Sequence, residues 1–404
     1  MMKRLTGYVL IAMFLVYIGG MVCGHAVSFD SPQSSPDLHR AFDDAIPHLM
    51  DKRGVPGVAI AVVKGGEVAW GKGYGWADKD RRLPVTEHTV FQAASISKAV
   101  SAWVVMKLVE QGTLVLDTPV SRYLTRWQLP ASPFDNDGVT LRRMLSHTAG
   151  LSIAGYRGFP PGTPLQTLEA SLTSAADAGQ QPLAVGFPPG QGWHYSGGGY
   201  TLMQLIVEQA TGQSFADFAQ NAVLTPLKLN ESGFHTLPRW QSETAIAYDR
   251  AGNSVPAYRF TAQAAAGLWS TAADLARFVG ALMAGTQGEP PGRSVLEPAT
   301  VGQMLSPQPH SSNALLFEGS EWGLGYGLKR LPSTGELLVY HPGDNIPAWH
   351  GMIAALPTRR VGLVVLTNGE AGRELRLDAF CLWFRLQRAG ALHECNERDS
   401  SSDR

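Results

Sequence analysis

The chain has 404 residues, 44% of them hydrophobic and 17% charged, with a formal net charge of −1. That length suits one large domain or two ordinary ones, and the composition excludes global disorder. The near-neutral balance excludes a bulk electrostatic binder of nucleic acid or of an anionic membrane.

Residues 1–26 read as a targeting segment. Lys3 and Arg4 form a short positive region, and Tyr8 to Val22 is an apolar run broken only by Gly19 and Gly20. Gly24-His25-Ala26 puts small residues at the −3 and −1 positions of a cleavage site. The run is short for a spanning helix. An uncleaved membrane anchor over residues 8–22 stays open beside a removed signal peptide. The expectation is export, to the periplasm or the medium. Met21-Val22 lacks the small residue expected before a lipidated Cys23. Cleavage after Ala26 leaves Cys381 and Cys395, for which a disulfide and buried free thiols are both open. Metal-site spacing is missing, with no Cys-x-x-Cys and no His-Glu-x-x-His.

Residues 27–37 read as a linker. Leu38 to Arg53 has a helical pattern, stopped by Gly54 and Pro56. Val58 to Val63, a Gly65-Gly66 turn and Glu67 to Gly75 read as a β-hairpin. Gly66 to Lys72 comes near the spacing of a phosphate loop, but Gly73 stands where Ser or Thr is needed. Ile96, Val100, Trp103, Val104, Leu108 and Val109 follow the i, i+3, i+4, i+7 spacing of one helix face, with Gly112 at a C-cap position. Further helices are predicted from Thr140, over Tyr200 to Ala210 and over Ser270 to Met283. Leu337 to Tyr340, Gly351 to Leu356 and Val361 to Leu366 read as strands. Arg373 to Arg388 reads as a terminal helix, and 391–404 as a disordered tail. Strands at both ends with helices between predict an α+β fold in one domain over 38–390. Its antiparallel sheet draws on about 38–85 and 320–390, and a mostly helical part is inserted at about 86–319.

Three clusters carry candidate chemistry. Ser95 and Lys98 lie three positions apart where a helix begins, so they share a face. The positive helix end favours a developing alkoxide, and a desolvated amine can accept the hydroxyl proton. The plain alternative is an exposed lysine with a serine near an N-cap. In Trp193-His-Tyr195-Ser-Gly197-Gly-Gly199, a Tyr hydroxyl could relay protons, and the glycines allow close backbone approach to a ligand. The alternative is a packed aromatic at a helix entry. Tyr340-His341-Pro-Gly343-Asp344-Asn345 follows a strand, and an edge strand there would offer backbone N–H groups to an oxyanion beside that of Ser95. There His341 could orient a substrate carboxylate, although a strand-end histidine is more often structural.

Taken in order, Phe91-x-x-x-Ser95-x-x-Lys98, Leu145-Ser-His-Thr-Ala-Gly-Leu151, Pro188-Pro-Gly190 with Tyr195-Ser196, Pro226-Leu227, Ala266-Gly-Leu-x-Ser-Thr-Ala-x-Asp-Leu275 and His341-Pro-Gly343 resemble the serine β-lactamase and penicillin-binding-protein superfamily. The likeness is to its class C-like branch, with its esterases and D-aminopeptidases. It implies Ser95 as acylated nucleophile, Lys98 as proton acceptor and Tyr195 as the first residue of a Tyr-x-Asn triplet. It also implies an oxyanion hole from the Ser95 and Asp344 backbones. His341, Gly343, Gly197 and Asn345 then fall at substrate-binding positions. Two departures matter. Gly197 replaces the triplet's Asn, and His341 replaces the Lys of Lys-Thr-Gly. Losing one charge-assisted hydrogen bond costs about 1.5–3 kcal/mol, which weakens the case for a β-lactam. The expectation is an exported serine hydrolase acting on an ester or amide, with a small-molecule or peptide substrate and no cofactor. A D,D-peptidase or weak β-lactamase, and a sensor or scaffold without turnover, stand as alternatives. Oligomeric state is left open.

Overall fold

The computed structural model describes residues 35–235, 240 and 243–400. The targeting segment lies outside the described residues. Helix α1, Ser35–Arg53, takes in the end of the expected linker and stops at Gly54, which is left-handed at φ 67°. Strands β1, Gly57–Lys64, and β2, Glu67–Asp78, form the expected hairpin. Gly65 and Gly66 both have positive φ, as a tight two-residue hairpin turn requires.

Among the described residues the main sheet has eight strands. Besides β1, β2 and β3, Leu83–Pro84, it contains β4, Glu321–Trp322, and β5, Gly327–Arg330. The others are β6, Leu337–Asn345, β7, Trp349–Leu356, and β8, Val361–Thr367. Their order is β3-β2-β1-β8-β7-β6-β5-β4, antiparallel throughout. The first and last strands therefore meet at the centre, with Val58 opposite Thr367.

Side chains alternate between faces along a strand. Val58, Ile60 and Val62 enter one hydrophobic cluster, and Ala59, Ala61 and Val63 enter the other. Burial on both faces explains why these strands read as unbroken apolar runs. Helix α1 and a C-terminal helix cover the first face with Phe42, Ile46, Phe380 and Phe384. The second face carries the helical region. It contains α2, Ser97–Glu110, α3, Leu141–Leu145, α4, Gly197–Thr211, and α5, Ala272–Gly280.

Helix α2 differs from the one-faced reading. Residues 97–106 are all buried, because small Ala99, Ser101 and Ala102 let neighbours close in on the remaining sides. It is a central helix rather than an amphipathic cover. The C-terminal tail also differs. After α6, Gly372–Leu386, the chain forms α7, His393–Ser400, where 391–404 was expected to be disordered. A disulfide joins Cys381 in α6 to Cys395 in α7, with Cα atoms 5.3 Å apart. That bond fixes a segment whose polar composition would not order it alone.

Candidate active site

The nucleophile turn is built from the chain around it. Phe91–Gln92 pairs with Trp269–Ser270, and the Ala93 N–H donates to the Leu268 carbonyl at 2.8 Å. A single 3₁₀ turn, Ala94–Ile96, then leads into α2. Ala94 is left-handed, at φ 51°. That conformation costs a non-glycine residue on the order of 1 kcal/mol and persists only where the surroundings impose it. Buried Ser97 supplies part of that restraint. Its hydroxyl donates to the Ala94 carbonyl at 2.5 Å and accepts from the Leu268 N–H at 2.9 Å.

Lys98, 2% exposed, sits one turn below Ser95. Its Nζ donates to Ser95 Oγ at 3.1 Å and to the Ala265 carbonyl at 2.7 Å. The Tyr195 and Tyr200 rings lie 5.0 and 5.7 Å from Nζ. Burial carries the ammonium from its ordinary value of 10.5 down to about 7, and no carboxylate offsets this. An amine half neutral near pH 7, within hydrogen-bond reach of a hydroxyl, is a competent general base.

Tyr195 precedes α4, whose N-cap is Ser196. The Ser196 hydroxyl accepts from the Gly199 N–H at 2.9 Å, and its N–H donates to His147 Nδ1 at 3.1 Å. The Tyr195 side chain is hydrogen-bonded to Ser95. Burial pushes the phenol up, the Ser95 bond opposes this, and the Asp344 charge adds to the rise. Tyr195 therefore keeps its proton across the working range, as a proton donor must.

The opposite wall is β6. It is not the edge strand expected, since β5 and β4 lie outside it. Pairing with β5 nevertheless ends at Tyr340 opposite Gly327, so 341–345 is free on that side. Gly343 lies against the nucleophile turn. A Cβ there would fall 2.4 Å from the Ala93 carbonyl oxygen and 3.3 Å from the Ile96 nitrogen. Only glycine lets the strand come this close, which brings the Asp344 backbone to the Ser95 turn.

Three expected substrate contacts have other places. His341 is fully buried, its Nδ1 2.7 Å from the Pro342 carbonyl and its ring edge-on to Trp322. Burial, then the Lys98 charge, lowers it to about 3, so it is neutral. Asn345 is also buried, and its Nδ2 donates to Gln92 Oε1 at 2.9 Å and to the Ala266 carbonyl at 3.2 Å. Gly197 opens α4, and its N–H donates to the Ala154 carbonyl at 3.1 Å. A Cβ on Gly197 would meet that same oxygen at 3.1 Å and Tyr156 at 3.3 Å. The glycines admit the protein's own 152–156 loop.

Several groups escaped the sequence reading. The Ala265 carbonyl has no side-chain signature. Tyr200, whose hydroxyl donates to the Leu145 carbonyl at 3.2 Å, and His147, whose ring lies tilted with its centroid 4.3 Å from that of Tyr195, read as helix core and as motif filler. Among the described residues no group of His, Cys, Asp and Glu is arranged to hold a metal, and no helix is long and apolar enough to cross a membrane.

A Ser–Lys–Tyr constellation at a helix start, facing the free side of an antiparallel strand, defines the class of serine β-lactamases and penicillin-binding proteins. Comparisons agree. The family model described as Beta-lactamase matches residues 42–381, and the chain belongs to that family. Protein flp of Staphylococcus aureus is 26% identical over 347 residues, 82% of this chain and 63% of that protein. Esterase EstB of Burkholderia gladioli is 34% identical over 220 residues, 52% of this chain and 54% of the esterase. The chain thus spans less than two thirds of the length of these relatives. An octameric penicillin-binding protein homologue from Pyrococcus abyssi superposes with a TM-score of 0.71 at 27% identity, covering 86% of this chain and 78% of that one.

Proposed function

We propose that the protein is a serine hydrolase that cleaves neutral carboxylic esters through a Ser95 acyl-enzyme. The carrying observation is the 3.1 Å contact between Ser95 Oγ and a buried Lys98 amine with no carboxylate beside it. Neutral Lys98 takes the Ser95 proton as Oγ bonds to the ester carbonyl. The oxyanion lies between the Ser95 and Asp344 N–H groups. Tyr195 gives its proton to the leaving alkoxide and regains one from the Lys98 ammonium. Water then cleaves the acyl-enzyme by the same relay in reverse, releasing acid. A neutral, buried His341 supports an uncharged substrate, because it offers no cation to a β-lactam or peptide carboxylate. The likeness to an esterase supports the same reading. We also propose export, which the Cys381–Cys395 disulfide supports, since such bonds persist in oxidising compartments.

Intact-mass spectrometry after exposure to a fluorophosphonate and to a penicillin, with Ser95→Ala as control, tests the assignment. A Ser95-dependent fluorophosphonate adduct together with turnover of p-nitrophenyl acetate is expected. No adduct from either reagent would sink it, and rapid penicillin turnover would move the substrate to β-lactams.

A further inference from the structure

We propose that Arg376 is the positioning residue of the oxyanion hole, a buried clamp from α6 that fixes the Gly343–Asp344 peptide so that the Asp344 N–H faces Ser95. The proposal rests on the hydrolase reading above.

Arg376 falls at helical spacing with Ala379, Phe380 and Trp383, all buried, so it lies on the inner face of α6. It is 3% exposed. A buried guanidinium is costly unless engaged; Nε has no hydrogen-bond partner among the described residues, and the contacts of the two terminal nitrogens converge on one point. Nη1 donates to the Gly343 carbonyl at 2.7 Å, to the Gly351 carbonyl at 2.9 Å and to Asp344 Oδ1 at 2.7 Å. Nη2 donates to Asp344 Oδ2 at 3.1 Å. One side chain thus ties β6 to β7 at the register where Gly343 faces Gly351.

The peptide plane carries this grip to the other side of the strand. In a trans peptide the Gly343 carbonyl and the Asp344 N–H point in opposite directions. Holding the carbonyl toward β7 turns the N–H toward the free side of β6, past the last β5 pair at Tyr340. Pro342 agrees with this direction. Residues 342 and 344 present their nitrogens to the same side, and a proline is tolerated in a strand only where no partner needs its N–H.

The Asp344 carboxylate is the second handle. His350 Nδ1 lies 2.5 Å from Oδ1, and Arg373 Nη2 lies 3.3 Å from Oδ2. Burial alone would raise this carboxyl, but His350 and the two arginines hold it well below the usual range. It stays ionised and paired, so its charge is spent on the clamp instead of opposing an oxyanion on its own amide.

The test compares Arg376→Gln and Arg376→Lys in the full chain, using p-nitrophenyl acetate kinetics and hydrogen–deuterium exchange of 341–351. Arg376→Gln should lower kcat about 100-fold with KM within about threefold, the size of a lost oxyanion donor. Exchange should speed up over 341–351 and stay unchanged over 58–63. Arg376→Lys should recover part of kcat. A folded Arg376→Gln variant with wild-type kcat, or with unchanged exchange over 341–351, overturns the proposal. Should that variant not fold, Arg376→Lys decides. A reduced kcat at unchanged KM supports the clamp, and wild-type kcat overturns it. A wild type that neither turns over the ester nor labels Ser95 defeats the hydrolase reading instead, and the exchange comparison still judges the clamp.

Discussion

Two buried basic side chains, Lys98 beside Ser95 and Arg376 behind Gly343–Asp344, are solved in opposite ways. Lys98 meets a hydroxyl, a carbonyl and two aromatic rings, with no counter-charge, and burial brings it down to about 7. Arg376 meets two carbonyls and an ionised carboxylate. Burial lowers it from its ordinary value as well, but Asp344 opposes that, and a guanidinium keeps its charge. The same burial therefore yields a base where partners are withheld and a fixed clamp where they are supplied. Residue choice follows, because Lys titrates readily when desolvated whereas Arg binds carboxylate with planar, directional donors.

The largest expected effect comes from removing the base. Lys98→Met should lower kcat by on the order of 10⁴ or more, as loss of a triad member does in other serine hydrolases. It should not destabilise the fold. Between about 7 and 10.5 the unfolded chain carries a proton on Lys98 that the folded chain lacks, so this group's contribution to stability improves as pH rises through that window. At pH 7 the penalty is on the order of 4 kcal/mol. Methionine removes it and leaves the Ala265 carbonyl short of one donor, which costs about 1–3 kcal/mol. Thermal unfolding at pH 7 should show a Tm at or above wild type. A drop typical of a damaged core would refute the cost assigned to Lys98.

Next comes the relay. Tyr195→Phe keeps the ring over Lys98 and loses the hydroxyl bonded to Ser95. A fall in kcat of about 10²–10⁴ is expected, the usual range for a proton-transfer group. In the wild type, kcat/KM should rise about tenfold per pH unit below 7 and level off above it, since the active form of Lys98 is neutral. A profile flat from pH 5 to 8 would remove Lys98 as the titrating base.

The contrast also explains what the sequence could disclose. The grouping of Ser95, Lys98 and Tyr195 was legible because each meets the others through a side chain at a fixed spacing. Paired strands and the Gly65-Gly66 turn were legible because alternation and positive φ leave local marks. The buried circumference of α2 was not, since small residues such as Ala99 and Ala102 carry no sign of what closes on them. The burial of His341 was not legible, because spacing finds a strand end but not its depth behind Trp322. Arg376 was readable in principle: an arginine in register with Ala379, Phe380 and Trp383 marks a charge on a buried helix face. Its partner Asp344, 32 positions earlier, needed the folded sheet.

The burial of His341 gives a smaller test. His341→Lys would restore the lysine of the Lys-Thr-Gly pattern in letter only, with Pro342 still in the place of its threonine. A cation there would be fully buried, with Lys98 and Arg376 near enough to repel it. The variant should lose about 2–4 kcal/mol of stability, or hold the new lysine neutral, and should gain no penicillin turnover. A stable His341→Lys protein that hydrolyses penicillin would show that the strand end is more accessible than its burial implies.

The smallest effect on turnover belongs to the tail. Cys381 lies on α6, five residues beyond Arg376, so the disulfide and the clamp share one helix. Its spacing of 14 residues closes a short loop, for which chain entropy gives about 3 kcal/mol. Arg376, however, is held by four oxygen atoms of β6 and β7, and the disulfide holds only α7. Cys395→Ser should therefore lower unfolding free energy by about 2–3 kcal/mol while leaving kcat within about twofold. Denaturant unfolding and ester kinetics on the same preparation check both halves. A kcat loss matching that of Arg376→Gln would mean that α6 needs its terminal staple to seat the guanidinium, and that the clamp is only as rigid as the helix behind it.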